Sequence, residues 1–210
     1  NNAAAMWAAR DVIHYVLERP LAAEPGKKFK YSNGAPVVLG EVLHHACRLE
    51  VDKLAEKYIF KPLGISRYRW SRYFDGTLET DGGLALCSRD LAKIGQLFLN
   101  KGRWQAEKII SPQWIKESTR RRFDLGGLWK WGYGYYWMEV NLNYQGQTVR
   151  SFFVPGDGGQ LLAVFPELKM VIVLTGGNYG TDVKTFCFGL IYQHILPAVH
   201  SLSSKLAFKK

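Results

Sequence analysis

No apolar run in this sequence approaches the ~20 residues that a membrane-spanning helix needs. The longest, Met170-Val-Ile-Val-Leu-Thr175, is the length of a strand. Cysteine is scarce: the three, Cys47, Cys87 and Cys187, are odd in number and far apart, in neither a metal-binding spacing nor a disulfide framework. They are expected to be buried free thiols. His44-His45 has no third ligand in view and reads as structural, so no metal is expected. There is no Gly-x-Ser-x-Gly elbow, and no His-Glu-x-x-His, phosphate loop or dinucleotide-binding glycine pattern, so no cofactor is expected. None of the ten serines has a lysine three residues later, so a Ser-x-x-Lys nucleophile is absent as well.

Acidic residues are the minority, 18 against 28 Lys and Arg, for a net charge of +10. The basic residues form only short clusters: Lys27-Lys28-Lys30, Arg120-Arg121-Arg122 and the tail from Lys205 to Lys210. No stripe and no nucleic-acid reader motif accompanies them, so no nucleic-acid partner is expected.

With 47% apolar and 14% aromatic residues, the 210-residue chain can bury a core of one or two domains. Helix formers with helically spaced apolar residues predict a helix over Ala3 to Glu18, ended by Pro20. A second is predicted over Ala35 to Cys47, with Val38, Val42 and Ala46 on one face, and a third over Val51 to Tyr58. Ser88 should cap a helix over Arg89 to Asn100, closed by Gly102. Ser111-Pro112 should start a short one. Then the period changes. Tyr133 to Val140, Gln147 to Val154, Leu161 to Phe165 and Val171 to Leu174 read as strands, rich in aromatic and β-branched residues. Short turns join them, which implies an antiparallel meander. A last helix is predicted over Asp182 to Leu196. Helices followed by strands make an α+β chain, expected as a helical lobe at 1–130 and a sheet with its terminal helix at 131–210.

Two landmarks stand out. Tyr31-Ser32-Asn33 lies behind Pro25-Gly26-Lys27-Lys28-Phe29-Lys30 and ahead of an apolar run from Gly34 to Leu43. Far downstream comes Gly156-Asp157-Gly158-Gly159-Gln160. Read alone, the first is a turn that starts a helix, and the second is a glycine hairpin. In that order they resemble the second and third active-site motifs of the serine β-lactamase and penicillin-binding-protein family. The likeness is to its class C type, and within it to 6-aminohexanoate-dimer hydrolases and related serine esterases. The resemblance implies a β-lactamase/transpeptidase-like fold. It covers nearly all of this chain but only about the C-terminal two thirds of a family member, so the nucleophile segment is expected elsewhere, upstream or on a separate chain.

On that resemblance Tyr31 is the catalytic tyrosine that acts as base, and Asn33 holds the lysine and the substrate carbonyl. Gly156 and Asp157 form the oxyanion turn, with the Asp157 N–H as donor, and Gly158 lies against the substrate. Trp137 is expected at a wall of the cleft. A tyrosine of ordinary pKa ~10 is a poor base at neutral pH without a nearby cation. The absent Ser-x-x-Lys lysine would supply one. The sequence departs from β-lactamases and carboxypeptidases at Pro155-Gly156-Asp157, where they carry a Lys-Thr-Gly or His-Thr-Gly motif. An acidic side chain there would repel a penicillin-type carboxylate by ~1 kcal/mol or more in a partly dry cleft.

The resemblance therefore implies part of a hydrolase of neutral esters, or of amides bearing an ammonium group, by acyl-enzyme chemistry. Two alternatives remain open: a non-catalytic or truncated binding module, and a class C β-lactamase or D-Ala-D-Ala carboxypeptidase. The partner is a small-molecule ester or amide. A homodimer, or pairing with the missing N-terminal segment, is expected through apolar surface left uncovered.

Overall fold

The computed structural model describes residues 3–127, 130–144, 146–180 and 183–199. The chain divides into two compact units, Asn1–Cys87 and Ser88–Lys210.

The first unit opens with two short helices, α1 (Ala3–Trp7) and α2 (Val12–Leu17), where one long helix was expected. The break comes from Asp11. It takes an extended backbone and its side chain accepts the His14 N–H at 2.8 Å, capping α2. Helix α3 (Gly34–Cys47) follows as predicted, but a different face is buried. Gly34, Val37 and Gly40 face inward, whereas Val42 is 55% exposed and Ala46 is exposed. The two glycines decide this. A Cβ on Gly34 would lie 2.7 Å from Val16, and one on Gly40 would lie 3.0 Å from Thr80. Backbone contact at these points brings Val37 into a small core with Met6 and Val12. Helix α4 (Val51–Ala55) runs into a π-helical turn (Glu56–Phe60). Strands β1 (Tyr68–Trp70) and β2 (Leu84–Leu86) pair antiparallel, and residues 71–83 loop out between them.

Asp75 ties that loop to α2. It accepts the Val12 N–H at 2.8 Å and the Thr77 N–H at 2.9 Å. Burial opposes ionisation of Asp75, but the N–H groups of Val12 and Thr77 outweigh it and hold the carboxyl below the usual carboxylate range. A carboxyl whose folded value is depressed stabilises the fold above its unfolded value and loses that contribution as pH falls through the folded one. The stability gap between wild type and Asp75→Asn should therefore shrink as pH drops below about 4. Thermal midpoints taken across that range check this; a gap independent of pH would refute it.

The second unit begins with α5 (Ser88–Leu99) and a small hairpin of β3 (Arg103–Trp104) and β4 (Glu107–Lys108). Helix α6 (Pro112–Ser118) starts as the sequence indicates. Ser111 Oγ accepts the Trp114 N–H at 3.1 Å, with Pro112 in the first turn. A six-stranded antiparallel sheet follows: β5 (Phe123–Gly126), β6 (Trp131–Tyr133), β7 (Met138–Tyr144), β8 (Gln147–Pro155), β9 (Leu161–Phe165) and β10 (Met170–Leu174). Each strand pairs with the next, so the meander is complete, with β5 and β10 at its edges. The strand expected over 133–140 is split. Gly134 passes so close to Ser118 that a Cβ would lie 2.7 Å from its carbonyl oxygen, and Tyr136 takes a left-handed φ of 60°. Helix α7 (Val183–Leu190) continues through a π-helical turn (Ile191–Ile195); the predicted start at Asp182 lies outside the described residues.

Period-two alternation gives the sheet two apolar faces. Phe153, Leu161, Ala163 and Phe165 pack with Phe188, Ile191 and Leu196 on one side. Phe152, Leu162 and Val164 pack with Leu91, Ile94 and Phe98 of α5 on the other. Contact is closest at Gly95, where a Cβ would lie 2.6 Å from Val171 and 2.7 Å from Leu162. Helix α5 thus belongs with the sheet, and the boundary falls between Cys87 and Ser88 rather than near residue 130. Glu139, buried in β7, is held by Arg121 at 2.6 Å and Arg150 at 3.4 Å.

Candidate active site

Tyr31 and Asn33 sit at the start of α3, in the first unit. Asn33 occupies the position before the helix, yet its side chain makes no capping bond. The contact between Gly34 and Val16 fixes this turn against α2. Tyr31 is 49% exposed. Burial, and then the charge of Asp81, push its phenol above the ordinary tyrosine value. At neutral pH Tyr31 is therefore a phenol that can donate a hydrogen bond, and it needs a cation to become a base.

Asp81 lies beside the site, where its charge acts on Tyr31. It opens the loop Asp81-Gly82-Gly83. Thr80 Oγ donates to the Pro36 carbonyl at 2.9 Å, which ties the neighbouring residue to the first turn of α3. One Asp81 oxygen accepts the Tyr73 hydroxyl, and the other accepts Trp7 Nε1–H at 3.4 Å. Burial and then these Asp81 contacts raise the Tyr73 phenol as well. Trp7 and Tyr73 come from distant parts of the sequence, so only the folded unit brings them to Asp81.

A separate cavity of about 190 Å³ in the same unit is lined by Val37, Gly40, His44, Glu50, Arg72 and Thr77, among others, and not by Tyr31 or Asn33. Arg72 is already paired there, at 3.2 Å to Glu50 and 3.7 Å to Asp52.

Gly156, Asp157 and Gly158 lie in the second unit, between β8 and β9. Both strands are interior to the sheet. Asp157–Gly159 form one 3-10 turn, closed by the Gly156 N–H to the Gln160 carbonyl at 2.8 Å. Asp157 Oδ1 accepts the Gly158 N–H at 2.9 Å. The Asp157 N–H stands at the start of the turn, where helical segments leave donors without an internal partner. Gly158 has φ of +72°, and a Cβ there would lie 2.6 Å from the Tyr179 ring. The Asn178 N–H donates to the Gly158 carbonyl at 3.0 Å. Gln160 Nε2 donates to the Gly176 carbonyl at 2.5 Å, so the turn is pinned to residues 176–179.

Trp137 is not at a cleft wall. It is 8% exposed and packs 4.4 Å from Phe98 and 5.3 Å from Phe152, ring centre to ring centre. Its aromatic surface stabilises the contact of α5 with the sheet. Among the described residues no group of three His, Cys, Asp or Glu is placed to hold a metal ion. Nor is any helix among them long and apolar enough to cross a membrane.

Residues 1–184 match the Beta-lactamase family model, and the chain belongs to that family. No curated protein matches its sequence. Solved structures do. A candidate 6-aminohexanoate-dimer hydrolase from Bacillus anthracis superposes with a TM-score of 0.75 at 23% identity, over 91% of this chain and 49% of that one. Simvastatin synthase from Aspergillus terreus gives 0.64 at 13% identity, over 85% and 56%. The octameric penicillin-binding protein homologue from Pyrococcus abyssi gives 0.54 at 20% identity, over 75% and 41%. These likenesses show a β-lactamase/transpeptidase-like fold, of which the chain spans about half the length of the structures it matches.

Proposed function

We propose that this chain is the part of a serine hydrolase that supplies the tyrosine and the oxyanion turn for acyl-enzyme cleavage of an ester or amide, the nucleophilic serine coming from another segment. The reading rests above all on the start of α3. An asparagine in the capping position leaves the cap unmade, two residues after a half-exposed tyrosine whose proton is held. Tyr31 and Asn33 thus stand together at the head of one helix, in the order the motif requires. In the second unit the Asp157 N–H is the candidate oxyanion donor, and the acidic side chain it carries disfavours substrates with a carboxylate at that point.

In this reading Tyr31 takes the serine proton once a cation stabilises its phenolate. Asn33 both donates and accepts through one amide. The Ser-x-x-Lys pair is absent from the sequence, so the chain alone is expected to be inert.

Purified chain should neither hydrolyse p-nitrophenyl acetate above background nor gain mass with a fluorophosphonate probe. Turnover that disappears in Tyr31→Phe, with one serine labelled, would overturn the assignment of the nucleophile to another segment. Turnover unchanged in Tyr31→Phe would overturn the assignment of Tyr31.

A further inference from the structure

We propose that Asp81 makes the Tyr31 corner of the first unit a receptor for a primary alkylammonium group, and so acts as the positioning residue that brings a cation to Tyr31. Three observations lead there. First, the carboxylate is fixed. Tyr73 binds one oxygen and Trp7 the other, while Thr80 ties the adjoining backbone to the first turn of α3.

Second, its charge is uncompensated. Both donors are neutral, and among the described residues no lysine, arginine or histidine pairs with Asp81, although the chain carries 28 Lys and Arg. Neutral donors orient a carboxylate but leave its negative charge in place. Most other well-held carboxylates of the unit do find cations, as Glu50 and Asp52 find Arg72 and Glu56 finds Lys53 and Lys61.

Third, the surroundings suit a compact cation with an apolar stem. Trp7 and Tyr31 are each 49% exposed. The indole meets the carboxylate edge-on, through Nε1–H, so the attraction on an ammonium there comes from the carboxylate charge while the half-exposed rings offer apolar surface to its stem. A cation on Asp81 would also remove the negative field that now opposes loss of the Tyr31 proton. The same carboxylate would repel an anionic ligand.

The ammonium could belong to a substrate or to a lysine side chain of another polypeptide segment, and the assay separates the two. The inference rests on Tyr31 as a site residue, but the readout is binding rather than turnover. The indole N–H resonance of Trp7, identified by its loss in Trp7→Phe, is followed in the full ¹⁵N-labelled chain at constant ionic strength. Titrants are n-hexylammonium chloride, Nα-acetyl-lysinamide and hexan-1-ol. Saturable shifts are expected with the ammonium compounds and not with the alcohol. Binding should weaken about fivefold in Asp81→Asn, the scale of one exposed ion pair, and return in Asp81→Glu. The phenolate absorbance assigned to Tyr31, by difference from Tyr31→Phe, should rise at lower pH when the amine is bound.

Tighter binding of hexylammonium points to a substrate amine, and tighter binding of the lysine amide to a side chain. No saturable shift, an equal response to hexan-1-ol, or equal binding by Asp81→Asn would overturn the inference. Ammonium binding with Tyr31 titrating as before would leave Asp81 a receptor but refute its action on Tyr31.

Discussion

Phe153→Ala is expected to destabilise the second unit by about 3–5 kcal/mol, the usual cost of emptying an aromatic site that its neighbours cannot refill. Phe153 is fully buried in β8, two residues before its end. It meets Phe188 edge-on at 4.5 Å and Trp131 at 5.6 Å, so it joins α7 to the centre of the sheet. Its pairing partners Met138 and Ala163 lie on the two flanking strands, and a void there is ringed by regular sheet that relaxes little. Domains are stable by about 5–15 kcal/mol in total, so the variant should sit near its unfolding limit. Urea unfolding checks this: the midpoint should fall steeply with the slope unchanged. A loss under about 1 kcal/mol would mean that α7 slides to fill the space.

Gly102→Ala should be the most damaging of the single-methyl changes in the turns. Gly102 has φ of +85°, and a Cβ would lie 2.0 Å from the Ile110 carbonyl oxygen. It is also a hydrogen-bond hub. Its N–H reaches the Leu97 carbonyl at 2.8 Å, and its carbonyl receives the N–H groups of Ile109 and Ile110 at 2.9 and 3.1 Å. The new methyl group would push against the backbone its own carbonyl is bonded to. Gly126→Ala is the control: φ is +69° and nothing lies within 4 Å of the added carbon. That change should cost only the left-handed penalty of about 1–2 kcal/mol, and Gly102→Ala clearly more. Equal midpoints for the two in thermal unfolding would show that the clash relaxes freely.

The helix stop at Gly102 was legible in the sequence because glycine after an amphipathic run is a local signal. Ser111-Pro112 and the strands β8 to β10 were legible for the same reason. What could not be read locally was decided by contacts. Asp11 looked like one polar residue inside a helix until its side chain closed on His14. The buried face of α3 follows glycines, which carry no hydrophobic signal, rather than Val38, Val42 and Ala46. Helix α5 looks like part of a helical lobe until Gly95 meets Leu162 and Val171. The same contrast runs through the candidate site. Tyr31, Asn33 and the turn at Gly156–Gly158 are visible as motifs. Trp137 followed an alternating aromatic pattern that the core absorbed. Asp81 became visible only when folding delivered Trp7 and Tyr73 to its two oxygens.

The two ends of the sheet are unlike. Strand β5 carries a register shift between Asp124 and Gly126, and Asp124 is bonded to Arg121 at 2.7 Å. A bulge and a charge are the devices that keep an edge from pairing. Strand β10 has neither. It runs in unbroken register with β9 from Met170 opposite Phe165 to Leu174 opposite Leu161, and it holds no charge and no proline. Of the two edges of this sheet, β10 is therefore the one whose backbone is fit to accept a further strand, whether that strand belongs to another segment or to a second copy.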